Sequence, residues 1–364
     1  MSSFIAWLAL AAAFGSVARA RSVRVAVASG PSLTIRGAHL VARTTPGGPP
    51  VAVGRQVRLR SVGPLVSDGR QLAPVLLISD AAGARIDVNG VGLLGEVEVA
   101  ATDRTLYAVD RVDLETYVAS VVGSEMPPSW PMQALEAQAI AARTYALVRA
   151  RTTRNQPFDV GAGVLSQVYR GAASLDRRSI AAARATRGEV LTFRGSLAQT
   201  YYFSSCTGRT ESARAAFGVS IPYLVPTSCR GGGRAPTAHW TKRIALAELS
   251  RQLRSAQVIG DRLREISVVA RTRTGRIARV KLVTRDGARN VSGAELRRLI
   301  GYQALPSLDA RIVRRGRDLV FEGSGSGHAV GLCQWCARGR ALAGESAAQI
   351  LAQAYPGTRL TELR

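Results

Sequence analysis

The sequence predicts an α+β fold: mixed, mainly antiparallel sheets around a central helix, with a smaller α+β module inserted late in the chain. Three observations predict it. Apolar and polar residues alternate between 21 and about 105, as half-buried strands require. Strong helix formers run from about 131 to 151. Residues 236–305 carry two strand-like runs around a glycine turn, then a short capped helix. The chain has 364 residues, 46% hydrophobic and 20% charged. It is long enough for two domains, or one large irregular one, and apolar enough to bury a core.

Residues 1–20 stand apart. "FIAWLALAAAFG" is apolar but too short to cross a bilayer comfortably. "ARA", ending at Ala20, has the small-x-small pattern of a signal peptidase site. A signal peptide is expected here, with a retained anchor as the alternative because "MSS" carries no Lys or Arg. The protein is expected to be secreted across the inner membrane, to the periplasm or cell envelope.

The N-terminal β-rich region, 21–105, contains "VRVAVA", "QVRLRSV" and "GEVEVAA", separated by Gly and Pro clusters such as "TTPGGPPVAVG". It holds no chemical motif. The core expected over 106–235 opens with "LYAVDRVDLETYVASVV", read as a strand, a turn and a short helix with Asp113 and Glu115 at its start. "VVGSEMPPSW" follows, with Glu125 expected at a strand end before two prolines. In the long helix Pro131 falls in the first turn, where a missing N–H costs little. Leu135, Ala139, Ala142 and Ala146 form a stripe of mostly small residues, suited to close packing. "GEVLTFRG" and "AQTYYFSSC" read as strands joined at Gly195. In the module over 236–305, Ser292 and Glu295 have capping-box spacing. Residues 306–364 return to the core through the glycine-rich loop "GSGSGHAVG".

The formal net charge is +24, almost all from arginine, with lysine only at Lys242 and Lys281. Such a chain attracts polyanions, whether a wall polymer, a membrane surface or nucleic acid. A composition rich in Ala, Gly, Pro and Arg accounts for the charge equally well. No zinc-finger spacing, homeodomain-like helix or aromatic RNA-binding signature is present, so no specific nucleic-acid partner is expected. The four cysteines are Cys206, Cys229, Cys333 and Cys336. In an oxidising compartment an even number suggests disulfides, with three connectivities. "CQWC" also has zinc-ligand spacing.

Together, "LETYVASVVGSEMPPSWPMQALEAQAIAARTYAL", "QVYRG", "YYFSSCTGRTESA", "PYL" and "GSGHAVGLCQW" resemble the ordered motifs of the stage II sporulation protein D / amidase enhancer (SpoIID/LytB) family. The resemblance spans residues 105 to 360. It implies one of two activities. The first is a lytic transglycosylase that cleaves peptide-stripped (denuded) peptidoglycan glycan strands to 1,6-anhydromuramyl ends. The second is a non-catalytic wall-binding activator of a peptidoglycan amidase.

The resemblance makes Glu125 the catalytic acid/base. An ordinary glycoside hydrolase uses two carboxylates. A lytic transglycosylase needs one, because the sugar's own 6-hydroxyl is the nucleophile and the same group gives and then takes a proton. By the same motif match, Arg143, Gln167, Tyr169, Ser204, Ser205, His328 and Gln334 are candidate substrate-binding residues. Arg143 is suited to bridging a carboxylate or binding a sugar hydroxyl, and Tyr169 to stacking on a sugar or filling core. Some family members hold zinc with a histidine from a "YHSTC"-like loop. Here Phe203 occupies that place, while Cys336 and Ala329 replace glycines of the "GHGVGLCQWGA" pattern. Cys206, Cys229, Cys333 and Cys336 are therefore expected to form an all-cysteine structural zinc site, with disulfides as the alternative.

Overall fold

The computed structural model describes residues 22–61, 66–67, 70–71, 75–102, 105–163, 166–206, 208–229 and 231–363. The expected signal peptide lies outside them. Among the described residues no helix is long and apolar enough to cross a membrane. The chain divides into two compact units: Met1–Ser129, Gln138–Gln199 and Leu360–Arg364 form the first, Trp130–Ala137 and Thr200–Arg359 the second.

In the first unit the alternating segments pair into one large sheet. Strand Ser22–Gly30 runs antiparallel to Thr105–Asp113, which pairs with Val97–Thr102, then Val75–Asp80, Ser32–Arg43 and Val51–Arg60. Val160–Gly161 joins Ser22–Gly30 in parallel, which makes the sheet mixed. Period-2 patterning buries one face, with Val23, Val25, Leu33, Ile35, Val97 and Val99 under 2% exposed. The α+β expectation holds.

The sheet leads directly into helix α1, Leu114–Glu125. Asp113 caps it, its Oδ1 accepting from the amides of Glu115 and Thr116 at 3.0 and 3.2 Å. Glu125 is thus the last residue of a helix, not the end of a strand as expected. The apolar run "VASVV" suited either element, and the cap at Asp113 decides for the helix. The helix stops because Pro127 forces Met126 out of helical geometry, to φ −130° and ψ 137°. A Cβ on Gly123 would lie 2.0 Å from the Ser174 carbonyl oxygen, so α1 presses its backbone onto the turn Gly171–Ser174. Helix α2, Met132–Thr152, starts one residue later than expected, with the Pro131 carbonyl accepting its first amides. Its small stripe, Ala139, Ala142 and Ala146, is fully buried. Helix α3, Arg177–Ala185, carries a capping box at Asp176. Strands Glu189–Phe193 and Ser196–Leu197 turn through Arg194 and Gly195, both at positive φ.

The second unit contains α4 (Ala213–Phe217), α5 (Leu246–Ser255), α6 (Gly293–Ile300), α7 (Gln334–Leu342) and α8 (Ala347–Ala354). The inserted module extends past residue 305, the boundary expected from the sequence. Its first strand, Trp240–Ala245, pairs with Asp318–Gly323, which pairs with Ala310–Arg315. A second sheet orders Glu265–Arg271, Ile277–Val283 and Ala288–Ser292. Leu249, Leu253, Val280, Leu296 and Phe321 share one apolar core, so the late strands close the module. Ser292 caps α6 as expected, accepting from the Glu295 amide at 3.1 Å. Glu211 anchors the turn of this module, accepting from Thr272 Oγ1 at 2.6 Å and from Thr274.

Candidate functional site

Glu125 sits where α1 ends and extended chain begins. Its Oε1 accepts a hydrogen bond from the Val168 backbone amide at 2.9 Å. That amide is presented by the "SQVYRG" segment, whose side chains act as its foundation. Gln167, 1% exposed, accepts at Oε1 from Tyr117 at 2.5 Å and donates to the Ala142 carbonyl of α2. Tyr169 is buried, stacks on Tyr117 with ring centroids 5.4 Å apart, and donates to Asp110 Oδ2 at 2.6 Å. Burial pushes the Asp110 carboxyl up to about 6, against the lowering effect of the Tyr169 bond. Burial and the Asp110 charge push the Tyr169 phenol up.

Three residues expected to touch sugar are therefore internal supports. Arg143 is 0% exposed, and its guanidinium is fully engaged: with both Glu115 oxygens at 2.9 and 2.6 Å, Thr186 Oγ1, and the carbonyls of Ala183 and Glu189. A guanidinium with no exposed surface and all its donors spent has nothing to offer a sugar, so the carboxylate bridge is its role. Gln167 and Tyr169 likewise spend their polar groups inside. A main-chain amide, that of Val168, reaches Glu125, and no side-chain pattern could give a signal for it.

The other candidates belong to the second unit. Strand Tyr202–Phe203 runs parallel to Leu332–Cys333. Ser205 is buried and shares a hydroxyl hydrogen bond with Thr237 at 2.8 Å. The Ser204 carbonyl accepts from the Trp335 amide at 3.1 Å, and Gln334 is buried at the first position of α7. His328 is half-buried among the rings of Tyr201, Phe203 and Phe217, with centroids 5.1–6.0 Å away. Its Nδ1 accepts from the Val330 amide at 3.1 Å. Burial and the Arg297 charge push it down to about 4, so the ring is neutral at pH 7. Ala329 adopts φ 65°, the left-handed region that favours glycine. Trp130 meets Trp335 edge-on at 5.0 Å, with the Arg338 guanidinium over both rings.

The four cysteines converge as expected. All are buried, and their sulfurs lie within 4.8 Å of one another beside Phe203 and Ala329. Cys229 and Cys336 form a disulfide, while Cys206 and Cys333 are free thiols. Hydrogen bonding to Cys333 and burial push the Cys206 thiol up. At Cys333 burial acts upward, but the Cys206 thiol and nearby backbone bonds outweigh it and the net direction is down.

Residues 102–193 match the family SpoIID, Stage II sporulation protein, and residues 234–331 match Domain of unknown function (DUF8618). An uncharacterised protein of Brachyspira hyodysenteriae is 32% identical over 282 residues, 76% of this chain and 74% of that protein. A stage II sporulation protein D of Bacillus subtilis is 30% identical over 273 residues, 70% of this chain and 76% of that protein. An amidase enhancer of Bacillus subtilis is 28% identical over 289 residues, 66% of this chain and 40% of that protein.

Proposed function

The chain belongs to the stage II sporulation protein D family, and from that premise we propose that it is a peptidoglycan lytic transglycosylase acting in the cell envelope on denuded glycan strands. The observation that carries this reading is the placement of Glu125. Glu125 closes α1, and its Oε1 accepts from the Val168 amide at 2.9 Å. One carboxyl held in place in this way suits both halves of the reaction. Glu125 first protonates the glycosidic oxygen as the bond to the anomeric carbon breaks. It then removes the proton of the muramyl 6-hydroxyl as that oxygen attacks the same carbon, closing the 1,6-anhydro ring. Incubation with denuded glycan followed by mass spectrometry tests this. Products 18 Da lighter than the hydrolytic ones, about one water, support it; hydrolytic ends or intact strands refute it.

The similarity to an amidase enhancer favours a second reading, in which the chain binds peptidoglycan and activates an amidase partner. Intact strands together with a faster amidase would support that reading instead.

In its reduced form we read the cysteine cluster as a structural zinc site. Tetrahedral Zn–S bonds of about 2.3 Å separate sulfurs by about 3.8 Å, and the four sulfurs here already lie within 4.8 Å. Cys206, Cys229, Cys333 and Cys336 would hold the ion. Bound there it supplies a closed cross-link and no reaction chemistry. Phe203 packs against this cluster as an apolar wall, which leaves the fourth position to Cys336.

A further inference from the structure

The inserted module contains a cavity of about 610 Å³ at the end of α5, lined by Arg251, Arg254, Ser255, Gln257, Gly260 and Arg289 among others, with no acidic residue in its lining. That volume suits a sugar-sized ligand. The three guanidiniums are differently engaged. Arg251 pairs with Glu248. Arg289 donates from Nη1 to the Val258 carbonyl at 3.0 Å, and among the described residues its other donors are unspent. Among the described residues Arg254 has no side-chain hydrogen bond or ion pair. With Arg251 paired, Arg254 and Arg289 leave two like charges on one cavity, a repulsion that an anion between them relieves.

The end of α5 does not cancel this field. The Gln252, Leu253 and Arg254 carbonyls are taken by the amides of Ala256, Val258 and Gln257 at 2.9–3.0 Å. Gln257 adopts φ 56° to make that closure. Asp286 stands outside the lining, its carboxylate 3.8 Å from where a Cβ on Gly260 would lie. The site is therefore a cationic cup, and Arg254 and Arg289 bring to its lining the planar donor pairs that carboxylates accept from.

We propose that this cup is a second glycan-binding site that reads the free lactyl carboxylate of muramic acid. The choice of ligand rests on the proposed activity. In a peptide-bearing strand the lactyl carboxyl is bound up as an amide, and the stem peptide's own carboxylates stand further from the ring. Hydrolysis of that amide exposes one carboxylate per disaccharide, so an amidase reaction must supply the ligand. The chain's charge of +24 draws such a polyanion in at long range; the cup selects at contact.

Titration calorimetry of the full chain against denuded strands, peptide-bearing strands, uncharged chitooligosaccharide and polyphosphate tests the proposal. The double variant Arg254→Gln, Arg289→Gln alters two exposed side chains, and its melting temperature is checked against the parent. The variant should lose about tenfold or more in affinity for denuded strands. Its affinity for peptide-bearing strands and chitooligosaccharide should be unchanged. Arg254→Lys should lose less. Unchanged affinity for denuded strands overturns the proposal. So does an equal loss for polyphosphate, which marks a general anion site, or a parent that binds peptide-bearing strands as tightly as denuded ones. The titrations are run in the Glu125→Gln background, which removes the acid, so binding is read without turnover; formation of 1,6-anhydro ends is measured separately with Glu125 present. A parent that shows the expected pattern but forms no 1,6-anhydro ends leaves this site standing and refutes the proposed activity; the reverse result does the opposite.

Discussion

In the sequence Tyr169 suits either a sugar face or the core, and the fold uses it in the core, where it holds a buried acid. The motif "SQVYRG" marked the right segment, but motif matching cannot distinguish a side chain that touches substrate from one that positions an amide. The Asp110–Tyr169 pair has a consequence for stability. Asp110 is 1% exposed, and its folded-state value near 6 lies above the ordinary 3.8. The folded chain therefore binds this proton more tightly than the unfolded chain does. That contribution is full below about pH 4 and is lost as pH rises through about 6. Asp110→Asn keeps an acceptor for Tyr169 and removes the loss. Unfolding free energies from urea titrations between pH 4 and 7 should fall in the parent relative to the variant, by at most about 3 kcal/mol. Parallel curves would contradict it. Ala329 makes the second residue-scale case. It holds φ 65°, where an L side chain is strained by about 1 kcal/mol, so Ala329→Gly should raise the melting temperature or leave it unchanged. A clear drop would show that packing of the methyl beside the cysteines outweighs the strain.

At the scale of elements, periodicity and caps were legible and contacts were not. The run of helix formers predicts α2, and Asp113 and Glu115 predict the start of α1. The apolar "VASVV" hides its end, because β-branched residues suit both elements, so Glu125 reads as a strand end where the structure has the last residue of the helix. Arg143 joins α2 to the first turn of α1 through Glu115, a pair invisible at a separation of 28 residues. Arg143→Met removes all five of its bonds and leaves the Glu115 carboxylate without its partner. It should destabilise by about 3 kcal/mol, the lower end for a broken buried pair because Glu115 is partly exposed. A midpoint within error of the parent would contradict this. The cysteine cluster joins elements of the second unit, and its two states are separable. Reduced protein should hold one zinc per chain and four thiols. Oxidised protein should show two thiols, Cys206 and Cys333, and no zinc. A chelator should lower the melting temperature of the first form only. A reduced form that holds no zinc would leave the cluster a disulfide site.

At the scale of the molecule, the α+β class followed from local pattern alone. The order of strands in the large sheet did not, nor did the end of the module at Asp318–Gly323. Both depend on pairings between residues far apart in sequence, which alternation cannot specify. Charge was legible as a total and illegible as a cup, because Arg254 and Arg289 come to line one cavity only once α5 and the module's second sheet share a core. The account as a whole stands on one carboxyl group giving and taking a proton. Glu125→Gln keeps the shape of that side chain and removes its acid. The most direct test is the rate of 1,6-anhydromuramyl end formation by this variant on denuded strands, with binding to the same strands measured alongside. The account predicts a fall of about 10²–10⁴-fold with binding retained; cleavage at the parent's rate would contradict it.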